Sequence, residues 1–461
     1  MISPATPKQR SLRDAEFKSR LQKLRQTDNV TNWMYIFRAH ALLLTAVGGA
    51  LWFYHFRVDA GLAFAWNIPV TVLAVMLVGA GQHQLAGLAH EAVHRTLFRN
   101  KHLNDLAADW LCSLPIFSST FHYGLHHLAH HQFVNDPIRD PDLSQMKQSG
   151  HKAEFPLEKH DFWRLMAKQL WLPNLFKYSR ARAEYDSIGT EKNPYIRRDW
   201  NPSKLPQKLG AAHLLVLLAT LGVLSYLGDW TLLIAAPIVC WIATMAAFMT
   251  MPESAFYQSL IKPVISVRAR SMMRISFFTF VLTGLTWGSM HTGEPLPAYF
   301  GLLWVVPIFT SFAFYNVLRQ VVQHGNADRG WLTNTRVFHV NPLLRFAVFP
   351  IGQDYHLPHH MFSTVPHYRL KELHEVLLEY PEYQREATVV EGYVIPQERP
   401  AVKPTVMDVL GPDYAPEIVR DVYIDNELME QLNINKEDKA FLKREGEVEQ
   451  SRLKNQVLDP S

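Results

Sequence analysis

Six blocks of apolar residues, near 36–56, 68–88, 208–227, 231–250, 274–291 and 297–318, constrain this chain more than any other feature. A run of roughly 20 apolar residues matches the thickness of a hydrocarbon layer. Inside that layer backbone N–H and C=O groups must bond within the segment, so such blocks read as helices. The blocks 274–291 ("RISFFTFVLTGLTWGSMH") and 297–318 contain polar or glycine breaks, which gives an expectation of about four to six crossings. The expected fold class is an all-α, multi-pass integral membrane protein made of transmembrane helical hairpins. About 120 residues separate the second block from the third and about 140 follow the last, enough for a polar helical cap on one face.

Charge orients the hairpins, because short cytoplasmic loops are rich in Lys and Arg. Lys8, Arg10, Arg13, Lys18, Arg20, Lys23, Arg25 and Arg38 precede or open the first block, and Lys262, Arg268, Arg270 and Arg274 follow the fourth. The opposite linkers, near 57–67, 228–230 and 292–296, carry Arg57 alone. Both termini and the cap, residues 91–207 and 319–461, are therefore expected in the cytoplasm, in a bacterial inner membrane or an endoplasmic reticulum membrane. The first 30 residues are charged and lack a secretory signal's apolar core. The chain divides into an N-terminal cytoplasmic segment (1–34), a membrane domain (35–375) and a cytoplasmic C-terminal region (376–461). Phe17, Leu21 and Leu24 lie at helical spacing among bases, as in a helix lying at the membrane interface. From about 385 onward the text is charged and reads as a solvated helix and tail. Cys112 and Cys240 are the only cysteines, so no disulfide framework or CxxC site is available. A net charge of +4, with its bases where topology wants them, carries no nucleic-acid signal.

Against this background the stretch "HEAVH" at 90–94 stands out. It spells the zinc-protease signature, two histidines on one helix turn with a glutamate as general base. Two further clusters argue for something else. "HHLAHH" places His127, His130 and His131 at i, i+3, i+4, and "HLPHH" repeats that spacing with His356, His359 and His360. On helices each trio shares a face, and the charge-derived topology puts all three clusters on one side of the membrane. Eight imidazoles exceed what one zinc ion accepts, so more than one metal is implied. Imidazole suits zinc, copper, iron and nickel alike. A protease would leave six of these histidines unused, and a metal transporter would want ionisable residues inside the spans. His83, His122 and His126 fall outside the repeated spacing and read as cap or packing residues.

The order HxxxH, HxxHH, HxxHH around membrane hairpins resembles the membrane fatty acid desaturases and their hydroxylase relatives. The flanks are similar too: "HEAVHRTLFRNKHLND", "FHYGLHHLAHHQFVNDPIRDPD" and "HLPHHMFSTVPHYRL" resemble the three boxes of that family over roughly residues 35–375. The resemblance implies two iron ions held by His90, His94, His127, His130, His131, His356, His359 and His360, with a ninth ligand from His324 in "LRQVVQHGNADRG". Relatives often have Glu before that histidine; here it is Gln323, which is expected to hold the ring of His324 by a hydrogen bond. Glu91 is expected as a supporting or helix-surface residue. Asp140 and Asp142 either orient imidazoles or stabilise the loop at Pro141.

Taking hydrogen from an unactivated methylene is beyond an amino-acid acid or base, so a metal and dioxygen must supply the oxidant while the protein positions the chain. The resemblance implies an oxygen-dependent fatty acyl desaturase, its substrate linked to lipid, CoA or carrier protein; hydroxylation of a lipid or carotenoid is the alternative. No haem, flavin or nicotinamide fingerprint appears, so electrons are expected from a separate ferredoxin or b-type cytochrome. His356, standing where front-end desaturases have Gln, points away from that subclass.

Overall fold

The computed structural model describes residues 10–197 and 199–415. In chain order its helices are α1 (Ala15–Leu24), α2 (Thr31–Asp59), α3 (Asn67–Val93), α4 (Lys101–Ala107), α5 (Thr120–Gln132), α6 (Pro141–Ser149), α7 (Lys159–Gln169), α8 (Leu172–Ala183), α9 (Leu205–Leu227), α10 (Trp230–Thr250) and α11 (Val267–Thr292). There follow α12 (Leu296–Phe300), α13 (Val306–Phe309), α14 (Ser311–Gln323), α15 (Pro342–Ala347), α16 (His356–Met361), α17 (Leu370–Leu377), α18 (Pro381–Glu386) and α19 (Val406–Val409). Five helical segments are both long and apolar enough to cross a membrane: Thr31–Asp59, Phe64–Val93, Leu205–Leu227, Trp230–Thr250 and Leu296–Gln323. They contain five of the six apolar blocks. Large apolar side chains such as Phe37, Leu44, Leu73, Leu215 and Val239 stand exposed on them, as surfaces that face lipid do. The sixth block lies in α11, a continuous helix of 26 residues, long enough at about 1.5 Å per residue but less apolar than the other five.

Polar side chains set how these helices meet. Tyr54 and Thr71 hydroxyls, 2.6 Å apart, join the far ends of α2 and α3, and His55 lies 3.6 Å from Glu294 beyond α11. At the opposite end, Asn32 donates to the carbonyl of Leu97 at 2.8 Å. His213 in α9 lies 2.8 Å from Thr244 of α10 and 2.9 Å from Thr279 of α11, binding three helices through hydroxyls. α3 and α14 touch at Gly79, where a Cβ would stand 2.7 Å from the backbone nitrogen of Phe312. Only glycine permits that approach. Ser311 fills the gap and donates to the Val75 carbonyl at 2.6 Å.

The cap is formed by residues 94–197, 199–204 and 324–415. Its core includes Phe162, Met166, Leu175, Phe338, Phe349, Val390 and Val409, in one cluster with Val321 of α14. Two short strands, β1 (Arg336–His339) and β2 (Thr388–Glu391), pair in parallel with Arg336 opposite Thr388 and His339 opposite Glu391. That pairing corrects the reading of 385 onward as solvated: Val390, Val406, Val409 and Leu410 are fully buried. No break in packing coincides with residue 375 either, since Leu377, Tyr380 and Tyr383 belong to one cluster with Leu357, Val365 and Leu373. The remainder of the expected tail, 416–461, lies outside the described residues. α1 also differs from expectation. Its stripe of Phe17, Leu21 and Leu24 is covered by protein, with Phe17 packed edge-on to Tyr380 at 5.1 Å, so it docks on the cap.

Candidate metal centre

Four chain segments carry the histidines to one place. α3 carries His90 in its last turn, with His94 capping it four residues later on the same face. α5 carries His127, His130 and His131 on its inner side. α14 stops at His324, after which Asn326 takes a left-handed backbone (φ 54°) that turns the chain away. α16 is little more than the third box, His356–Met361. All nine side chains are buried or, for His324 alone, partly so.

The nitrogens form two groups. His90, His94, His127, His131 and His359 bring one nitrogen each within 4.8 Å of one another, and so do His130, His324 and His360. His356 joins the second group, its Nε2 lying 3.0 Å from that of His324. Three more Nε2–Nε2 distances are 3.0 Å (His127–His131), 3.1 Å (His131–His359) and 3.1 Å (His130–His324). Two nitrogens each about 2.1 Å from one ion and about 90° apart would be about 3.0 Å from each other. The rings are therefore spaced as neighbouring ligands of a common ion. Nitrogens of His90, His94 and His360 are closed to solvent and make no hydrogen bond. Orphaned buried acceptors are costly, and a cation is the group that would satisfy them. The donor set thus fits two ions held almost wholly by imidazole.

Three of the rings, those of His90, His130 and His324, are tied back through the outward nitrogen, which fixes their orientation. His130 Nδ1 donates to Asp140 at 3.0 Å and His324 Nδ1 to the carbonyl of Asn334 at 2.9 Å. His90 Nδ1 lies 3.3 Å from Glu91 Oε1, while Glu91 Oε2 accepts from Thr96 (2.8 Å) and from the backbone of His367 (2.9 Å). Glu91 is thus occupied by three partners, which removes the free carboxylate that a protease base requires. Asp140 also accepts from the backbone of Asn135 and of Asp142 at the start of α6. Asp142 binds His126 Nε2 at 2.6 Å and stays 3.7 Å from His130.

Gln323 does not orient His324: its amide donates to Gln353 at 3.3 Å, and the Asn334 carbonyl takes the role expected of it. A backbone carbonyl leaves no trace in a sequence, because every residue has one. His126 lies outside both groups, between Asp142 and Asp186 (2.8 Å). Burial works against its charged form, yet the two carboxylates outweigh burial and hold it protonated, up to about 10. His83 donates to the Ala347 carbonyl, and His122 packs on Tyr257; neither joins a group.

The comparisons agree with this geometry. A family model described as fatty acid desaturase matches residues 66–270 and 254–390. A curated relative, dihydrorhizobitoxine desaturase from Bradyrhizobium elkanii, is 24% identical over 396 residues, spanning 84% of this chain and 87% of its own. The matches cover most of the chain and every histidine cluster, and the chain belongs to the fatty acid desaturase family.

Proposed function

We propose that this protein is a dioxygen-dependent desaturase whose centre holds two iron ions. His90, His94, His127, His131 and His359 would hold one, and His130, His324, His356 and His360 the other. The convergence of these nine imidazoles on two neighbouring points carries the reading. When bound, the irons supply the oxidising power that no side chain has. The net reaction takes two hydrogens from adjacent carbons and consumes one dioxygen, two electrons and two protons, giving a double bond and two waters. The protein's share is positional: Asp140, Glu91 and the Asn334 carbonyl fix the rings, and the buried cap keeps bulk water from the reacting carbons.

Six crossings fit the structure best. Arg270, at the start of α11, is bonded to Asp105 (2.6 Å) and Asp109 beside α4, on the face that carries the histidines. The segment Leu296–Gln323 must return to that face to deliver His324, so α11 has to leave it. The basic segments support a cytoplasmic location for this face. Electrons would come from a separate ferredoxin or b-type cytochrome, for which the groove between Arg38, Arg345 and Lys371 offers a basic landing surface reaching Tyr355 and His367. The fatty acyl chain in the family's name would need an apolar slot leading to the histidines.

Metal analysis of the purified protein tests the reading. About two irons per chain and little zinc are expected, with a desaturated product when a reductant is supplied. One zinc per chain with peptide cleavage would overturn it.

A further inference from the structure

The cavity that opens on the histidines is lined mostly by residues that carry a polar group. His90, His127, His130 and His356 form one side of it, and only Ala86, Ala89 and Ile116 in its lining lack a polar group. Its volume is about 50 Å³, room for a few water-sized groups at about 10–15 Å³ each. A separate groove of about 280 Å³ is apolar, lined by Leu214, Phe248, Ile275 and Phe278. That groove includes none of the nine histidines and shares no lining residue with the cavity at the histidines. A methylene chain would gain by entering the apolar groove.

Two arginines line this cavity. Arg182 is paired with Asp186 at 2.8 Å. Arg319, in α14, has no such partner. Its guanidinium donates to two neutral amides, Gln353 (2.5 Å) and Asn316 (2.9 Å), and its Nε is closed to solvent with no partner. Among the described residues no carboxylate forms an ion pair with it. One turn further along, residue 323 could supply an acid to Arg319 by i, i+4 spacing; the side chain there is the neutral Gln323. A guanidinium is always charged and its planar fork suits a carboxylate.

We propose that the substrate is a small molecule bearing a carboxylate, which Arg319 grips while the carbons to be desaturated lie toward His90, His127, His130 and His356. This rests on the desaturase reading and replaces the long acyl chain with a short, polar acid. Tyr178, which donates to Gln320 at 2.6 Å, and Tyr123, stacked on His127 at 5.5 Å, offer further polar contacts from the cavity wall.

The test uses the full-length, iron-loaded protein in detergent. Calorimetry measures binding of butanoate, 2-aminobutanoate and pentanoate, each against its amide, with palmitoyl-CoA as the long-chain probe. At least one short acid should bind at least tenfold tighter than its amide. Arg319→Gln should weaken it about ten- to a hundredfold, the loss of a charge-assisted pair, and Arg319→Lys should recover part of the loss. Gln323→Glu, which gives Arg319 an internal carboxylate, should weaken the same acid similarly. If no short acid binds better than its amide, or if palmitoyl-CoA binds tightly and Arg319→Gln leaves that binding unchanged, the proposal is wrong. Iron content and reductant-driven dioxygen uptake, measured on the same samples, report the desaturase reading separately: both can stand while the carboxylate arm fails.

Discussion

His324 is partly buried and His126 buried, each with both ring nitrogens in polar contact, yet the structure gives them opposite work. His324 has its Nδ1 committed to a carbonyl and its Nε2 among three other ring nitrogens, those of His130, His356 and His360. His126 has both nitrogens on carboxylates. Truncating each should therefore fail differently. His324→Ala removes one ligand from the group of four, so product formation and part of the iron should be lost while the protein still inserts and folds. His126→Ala removes the group that joins partly buried Asp142 to buried Asp186 and leaves Asp186 with Arg182 as its partner, and losing these two hydrogen bonds costs about 1–3 kcal/mol. Its thermal midpoint should drop by several degrees, with iron retained in the fraction that stays folded. Metal content and melting temperature, read side by side, distinguish the two. A His324→Ala protein with full iron and normal turnover would remove this residue from the centre.

Among the elements, the end of the cap depends on neutral histidines. His374 in α17 lies 2.8 Å from the hydroxyl of Tyr383 in α18, and its ring packs 5.9 Å from that of His339 in β1. Burial pushes His374 down to about 4, and it lowers His339 as well. Unfolded histidine titrates near 6.5. A group whose folded pKa is depressed contributes stability above the unfolded pKa and loses it as pH falls toward the folded value. Docking of 370–391 should therefore loosen between about pH 6.5 and 4. Hydrogen exchange across β2 and α18, corrected for intrinsic rates, should rise over that window in the wild type and much less in His374→Phe. Equal pH sensitivity in the two proteins would mean that other groups control this edge. Sequence reading missed the element because β2 finds its partner about fifty residues away in β1, and period-2 burial is weak in a four-residue strand. The histidine boxes were legible for the converse reason. Their geometry is fixed within one helical turn, where spacing alone decides which side chains share a face.

For the whole molecule, the apolar blocks and charge pattern anticipate the helices well, because length and hydropathy are local properties. What they leave open is whether α11 crosses, since its apolar stretch is broken by Ser, Thr and Gly. Contacts made over long separations favour six crossings. His55 at the end of α2 faces Glu294 after α11, and Tyr54 faces Tyr299, so those ends share a side, away from the histidines. A chain with five crossings would strand Thr292 on the same face as the cap, whereas six crossings put it with Asp59. Single cysteines at Asp59, Lys152, Thr292 and Val402, all exposed positions, separate these arrangements in sealed cells treated with an impermeant thiol reagent. Buried Cys112 and half-buried Cys240 provide the blank. Asp59→Cys and Thr292→Cys should label from outside, and Lys152→Cys and Val402→Cys only after permeabilisation. Protection of Thr292→Cys would mean that α11 does not cross. Labelling of Lys152→Cys or Val402→Cys from outside would reverse the orientation, placing the histidine centre on the opposite face from any cytoplasmic electron donor.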